Sequence, residues 1–121
     1  MPLKAWNFPQ GTREIMRILF DHGTPAPLRK HLKNHHVSKA KDKGWDELRN
    51  GDLIAVAKEE GFDLLLTTDK NLAYQQNLSH RKIAILVISN AQWPYLQFHV
   101  DLVIKAIETA TPGSYAIIEV P

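Results

Sequence analysis

The chain has 121 residues and a net charge of +2, with 44% hydrophobic and 23% charged residues, the composition of one globular domain with a single core. It contains no cysteine, which excludes disulfides and thiolate metal sites. No apolar run approaches the ~20 residues that span a bilayer, and the N-terminal residues lack the apolar core of a signal peptide, so the expected location is the cytoplasm.

Residues 1–15 read as a peripheral N-terminal extension, interrupted by Pro2, Pro9 and Gly11 and carrying the isolated aromatics Trp6 and Phe8. The core pattern starts at Ile15 or Met16, and residues 16–121 form the expected domain. A buried strand over 16–20 ends abruptly at Asp21. His22 and Gly23 make a turn, and a helix is expected over 25–34 with Thr24 as its cap and Pro25 at its first position. Leu28 and Leu32, four apart, mark the inner face of that helix. His36-Val37-Ser38 reads as a short second strand. Lys39 to Asn50 is a polar loop with Trp45 and Leu48 as anchors.

A second helix is expected from Gly51 to Glu60, capped by Asn50 and stopped by Gly61, with Leu53, Val56 and Ala57 facing inward. Strand three, Asp63 to Thr67, is apolar at consecutive positions, as a sheet covered on both faces requires. Asp69 follows its end, then a short helix or turn through Tyr74 and Gln75. Strand four is the apolar run Ile83 to Ile88. One long helix is expected over 91–110, with Trp93, Leu96, Val100, Val103, Ile104 and Ile107 on one stripe. Pro112-Gly113 ends it, and Tyr115 to Val120 alternates like an edge strand.

This alternation predicts an α/β fold: a mainly parallel central sheet with helices on both faces. A strand order of 2-1-3-4 would set strands one and three side by side at the switch point, where ligands collect at the strands' carboxyl ends. Asp21 and Asp69 end those two strands, so the sheet is expected to bring them into one crevice. Crowded carboxylates stay ionised only beside a cation. Oxygen ligands in an open, watery site suit Mg²⁺ or Mn²⁺, which can clamp a phosphodiester and activate water. Asp52, in the first turn of helix two, is the candidate third acid, with Glu47 behind it. The alternatives are a helix-dipole role for Asp52 and a capping role for Asp69.

Between Arg29 and Arg49 stand seven basic residues against three acidic ones, a local net of +4. Such a stretch makes either a phosphate-binding surface or a solvated face. Arg29, Lys30 and Lys33 are the candidates for holding phosphates. Gln75, Gln76 and Asn77 are neutral amides that either hold a nucleotide or are plain turn residues. His22 either touches the site or is exposed. His35 and His36 are adjacent, a poor metal geometry in a strand, and read as surface residues. Thr67 and Thr68 either ligate through a hydroxyl or close the strand. Trp45, Trp93 and Tyr74 read as packing residues. No glycine-rich phosphate loop, nucleophile elbow or HExxH pattern is present.

The segments ILFDHGTPAPLR, NGDLIAVAKEEGFDLLLTTDKNLAYQQNL and IAILVIS resemble the small PIN-like proteins related to VapC-type toxins. The resemblance covers residues 16–90, and the final helix less distinctively. It implies a three-layer PIN-like domain and divalent-metal-dependent cleavage of RNA, with Asp21, Asp52 and Asp69 as the metal-binding and catalytic acids. It also implies a cognate antitoxin as partner. Two departures stand out: Asp21-His22-Gly23 where many relatives have Asp-Glu-Asn, and Ser89-Asn90 where a fourth acid would be expected. The loss of acids weakens a two-metal site and leaves room for a one-metal or much slower nuclease, and the missing fourth acid together with the modest net charge favours the alternative reading. The alternative is a catalytically weak or inactive module of the same fold that binds RNA or a protein partner. A receiver-like phosphoacceptor domain is a third reading, but it lacks the acidic pair at strand one and the lysine at the last strand's tip. Trp93, Tyr95 and Phe98 would extend the last helix's stripe toward a homodimer surface if it is not all core.

Overall fold

The computed structural model describes residues 15–70 and 83–121. Five parallel strands form one sheet: β1 (Arg17–Phe20), β2 (His36–Lys39), β3 (Leu64–Thr67), β4 (Ala84–Ile88) and β5 (Tyr115–Ile118), in the order β2-β1-β3-β4-β5. The expected order 2-1-3-4 is present, and β5 extends it as the far edge, parallel to β4. Phe20 pairs with Leu66 and Thr67 with Val87, so the carboxyl ends of β1, β3 and β4 lie level.

Successive side chains on a strand point to opposite faces, and the central strands are apolar on both. Ile18, Phe20, Leu64, Leu66, Leu86 and Ile88 form one core with Leu28, Leu96, Val100, Val103 and Ile107. Leu19, Leu65, Ile85 and Val87 form the other, with Ala40, Leu53, Ile54 and Ala57. The chain is therefore a three-layer α/β domain. Each fully buried Leu or Ile contributes roughly 1.5–3 kcal/mol, so continuous runs such as Leu64-Leu65-Leu66 fix the sheet's middle. Ile15 is exposed, whereas Met16 is buried in the core.

Helix α1 spans Asn50–Glu59, one residue earlier than expected: Arg49 takes the N-cap position, with no side-chain cap bond. Leu53, Ile54 and Ala57 are buried, and Val56 is partly so. Gly61 stops the helix with φ 86°, a conformation few other residues adopt.

Two expected helices are corrected. The segment after β1 is a 3₁₀ helix over Ala26–His31 and not an α-helix over 25–34. Pro25 and Pro27 lack amide hydrogens, and the bonds that form are of the i→i+3 kind, Leu28 N–H to Pro25 O at 3.1 Å and Leu32 N–H to Arg29 O at 3.1 Å. Thr24 does not cap it. Pro25 holds the N-cap position, and the Thr24 side chain is buried elsewhere. The long helix over 91–110 is two pieces, α2 (Trp93–Leu96) and α3 (Val100–Thr109). His99 breaks the path at φ −129°, ψ 25°. The apolar stripe crosses the break: Leu96, Val100, Val103 and Ile107 are all buried, with Trp93 and Ile104 packed against them. Among the described residues no helix is long and apolar enough to cross a membrane.

Candidate functional site

The site lies where β1 and β3 end side by side. Their pairing carries one residue beyond β1, since the Asp21 N–H donates to Leu66 O at 3.1 Å. The carboxyl group of Asp21 is thereby held at the sheet's rim. Its Oδ1 accepts the Gly23 N–H at 3.0 Å and lies 3.2 Å from the Thr24 hydroxyl. Its Oδ2 accepts the Thr67 hydroxyl. Thr67 Oγ1 in turn accepts the Asp69 N–H at 3.1 Å. One buried hydroxyl thus ties the loop bearing Asp69 to the carboxylate of Asp21.

Thr24 works in parallel. Its hydroxyl donates to Leu66 O at 2.8 Å, stitching the turn after β1 to the backbone of β3. The same hydroxyl also faces Asp21 Oδ1, so its one hydrogen is shared between a carbonyl and a carboxylate. Thr24 and Thr67 are the two polar side chains buried in the described core, and both serve Asp21. Gly23 is needed for space: a Cβ there would run into the Thr68 hydroxyl.

Burial is the main cause that raises the Asp21 pKa above the ordinary carboxylic value, and the nearby negative charge of Asp69 adds to it. The hydrogen bonds from Thr67, Gly23 and Thr24 act the other way, and burial prevails. The two acids that the strand order predicts to converge do so. A cation there would offset both the burial of Asp21 and its repulsion from Asp69.

The remaining candidates are placed differently. Asp52 lies exposed in the first turn of α1, a position favourable to the helix dipole. Among the described residues no three His, Asp or Glu side chains gather in a metal-holding group. The structure therefore brings together Asp21 and Asp69 and leaves Asp52 outside any such cluster. Glu47 and His22 are exposed. Arg29 and Lys30 stand exposed on the 3₁₀ helix, with Lys33 exposed just beyond it. Gln75, Asn77, Gln76 and Tyr74 lie outside the described residues. At the tip of β4, Ser89 Oγ accepts the Val120 N–H at 2.8 Å, and Asn90 Oδ1 accepts the Gln92 N–H at 3.2 Å.

His36 is exposed as expected, but His35 is half-buried and its Nδ1 accepts the Met16 N–H at 3.1 Å. Trp45 packs edge-on against Phe62, and Trp93 packs at a tilt against His31, at centroid distances of 6.2 and 5.9 Å. The contribution that sequence reasoning missed is Thr24. Its position before a proline reads as a helix cap, and only the β1–β3 pairing shows it facing Leu66 O.

Comparison of the chain with protein-family models, with curated proteins and with solved structures gave no match.

Proposed function

We propose that this chain is a divalent-metal-dependent endoribonuclease of the PIN-like kind, the toxin of a toxin–antitoxin pair, acting through Asp21 and Asp69. The observation that carries the reading is a half-buried carboxylate held by neutral donors beside a second carboxylate, at the switch point of a parallel sheet. The donor set suits Mg²⁺ or Mn²⁺, since Mg²⁺ is commonly held by one or two carboxylates and keeps several of its own waters. Such an ion, when bound, supplies charge stabilisation at the phosphodiester and lowers the pKa of an attacking water.

The protein's own groups have separable tasks in this reading. Asp21 presents Oδ2 in an orientation fixed by Thr67, while Gly23 and Thr24 hold Oδ1. Asp69 completes the pair from the adjoining loop. Arg29, Lys30 and Lys33 hold flanking phosphates, a role that suits their exposure and charge. The test compares RNA cleavage with and without Mn²⁺ for the wild type and Asp21→Asn. Wild-type cleavage should require the metal and should fall about 10³-fold in the variant, the loss expected for several kcal/mol of transition-state stabilisation. Equal, metal-independent cleavage by both proteins would remove the proposal.

A second reading, a module of the same fold that binds RNA or a protein partner without cleaving, is favoured by the exposure of Asp52. Calorimetric titration with Mn²⁺ separates the two. The nuclease should bind the ion in a way that Asp69→Asn abolishes, whereas the module should show no binding linked to that residue.

A further inference from the structure

Gly23 is a glycine for a reason that lies outside its own backbone. Gly44, Gly61 and Gly113 take positive φ values, whereas Gly23 does not, so φ does not require glycine there. Space does. An added Cβ would run into the Thr68 hydroxyl, while Thr68 Cβ and Cγ2 would stand at 3.5 and 3.6 Å, ordinary packing distances. The turn after β1 gives up a side chain to leave one oxygen atom in place.

That oxygen does nothing for the fold. The Thr24 hydroxyl is bonded to Leu66 O and faces Asp21, and the Thr67 hydroxyl joins Asp21 to the Asp69 N–H. Among the described residues Thr68 Oγ1 has no hydrogen-bond partner, and its side chain is half-buried where Gly23 is exposed. The Gly23 N–H holds Asp21 Oδ1, and Asp69 is the residue after Thr68. The hydroxyl therefore stands at the seam between the turn bearing one acid and the loop bearing the other.

We propose that Thr68 is a ligand-contacting residue whose hydroxyl donates to an anionic phosphate oxygen held over Asp21 and Asp69, and that Gly23 is present to keep that hydroxyl in reach. Mg²⁺ held by one or two carboxylates takes substrate phosphates as further ligands. A hydroxyl at the same rim gives the phosphate oxygen a hydrogen bond without adding charge to the site. Of two adjacent threonines, Thr67 closes the strand and Thr68 meets the ligand. This rests on the reading of Asp21 and Asp69 as an ion-holding pair, and not on RNA being the phosphate ester.

The experiment titrates inorganic phosphate into the full chain in Mg²⁺, following the backbone amide resonances of Gly23, Thr68 and Asp69 by NMR. Urea midpoints are measured on the same proteins. Thr68→Ser and Thr68→Ala differ only in the hydroxyl, and they should unfold at the same urea concentration. Thr68→Ser should keep the wild-type phosphate affinity, and Thr68→Ala should bind about tenfold more weakly, the loss of one hydrogen bond to a charged oxygen. Gly23→Ala should lose both stability and phosphate affinity, because Thr68 must turn away. In the Thr68→Ala background the same change should cost neither, since the atom it displaces is gone.

Equal phosphate affinity for Thr68→Ser and Thr68→Ala would overturn the proposal. So would phosphate bound equally well in EDTA, which would put the anion away from the two acids. Hydroxyl-dependent phosphate binding by a protein that leaves RNA intact would keep this inference and remove the nuclease. Metal-dependent RNA cleavage at equal rates by Thr68→Ser and Thr68→Ala would do the reverse.

Discussion

The two ends of the central sheet treat charge in opposite ways. At the amino end, charged groups have complementary neighbours. The Arg17 guanidinium lies 4.4 Å over the Phe62 ring and donates to Glu60 O. Asp63 Oδ2 accepts the Arg17 N–H at 2.9 Å. Lys43 pairs with Glu60 at 3.3 Å and sits over Trp45, which packs on Phe62. At the carboxyl end, the Asp21 carboxyl is half-buried among neutral donors with another acid beside it. The amino end is arranged for stability. The carboxyl end keeps a local conflict of the kind that collects at functional sites.

The contrast can be tested from both sides. The largest stability effect should come from the amino end. Phe62→Ala removes a buried ring that supports both Arg17 and Trp45, and should cost about 3–5 kcal/mol in denaturant unfolding. Under the nuclease reading, metal-dependent cleavage by this variant should be intact below its unfolding transition. A comparable loss from Asp21→Asn would break the comparison, because that site would then be structural too.

Thr67→Val sharpens it next. The substitution keeps the shape but deletes the hydroxyl that links Asp21 to the Asp69 backbone. We expect about 1–3 kcal/mol of destabilisation, the cost of leaving buried polar partners unsatisfied. Cleavage should fall further than stability alone explains, as measured by single-turnover rates under conditions where the variant is fully folded.

The pH dependence follows from the sign of one shift. Folding raises the pKa of Asp21, so the folded state holds this proton more tightly than the unfolded chain. Its contribution to stability is fully present below the unfolded-state pKa and is lost as pH rises through the folded-state value. Asp21→Asn cannot lose a proton. Its stability relative to the wild type should therefore improve as pH rises across that window, as read from urea midpoints at a series of pH values. Mn²⁺ should narrow the difference by stabilising the ionised wild type. The smallest effect belongs to Lys43→Ala. The Lys43–Glu60 pair is partly solvent-exposed, and its loss should cost less than about 1 kcal/mol and shrink with added salt.

Much of this architecture is legible in the residues. Consecutive apolar positions at Leu64–Leu66 and Ala84–Ile88 announce strands buried on both faces, and the alternation with helical segments leads to the order that joins β1 to β3. The meeting of Asp21 and Asp69 follows from that order alone. What could not be read is whatever depends on long-range partners. Thr24 has the local signature of a cap, yet its hydroxyl is taken by a carbonyl 42 positions away. The break at His99 is concealed because Leu96 and Val100 keep the same apolar spacing on either side of it. Two prolines favour a 3₁₀ helix over an α-helix between 26 and 31, but Leu28 and Leu32, four apart, carry the spacing of an α-helix, and Leu32 in fact lies just past the 3₁₀ turns.

The pairing of β1 with β3 bears on how the protein is made. The first strand cannot find its inner neighbour until a residue 46 positions later has left the ribosome, because Thr67 must reach Asp21 before the rim exists. Parallel pairings of this range form slowly, after loop closure has been met. A cell synthesising this protein therefore carries no assembled carboxylate pair during the first half of translation, and any activity that depends on that pair is absent while the chain is still being built.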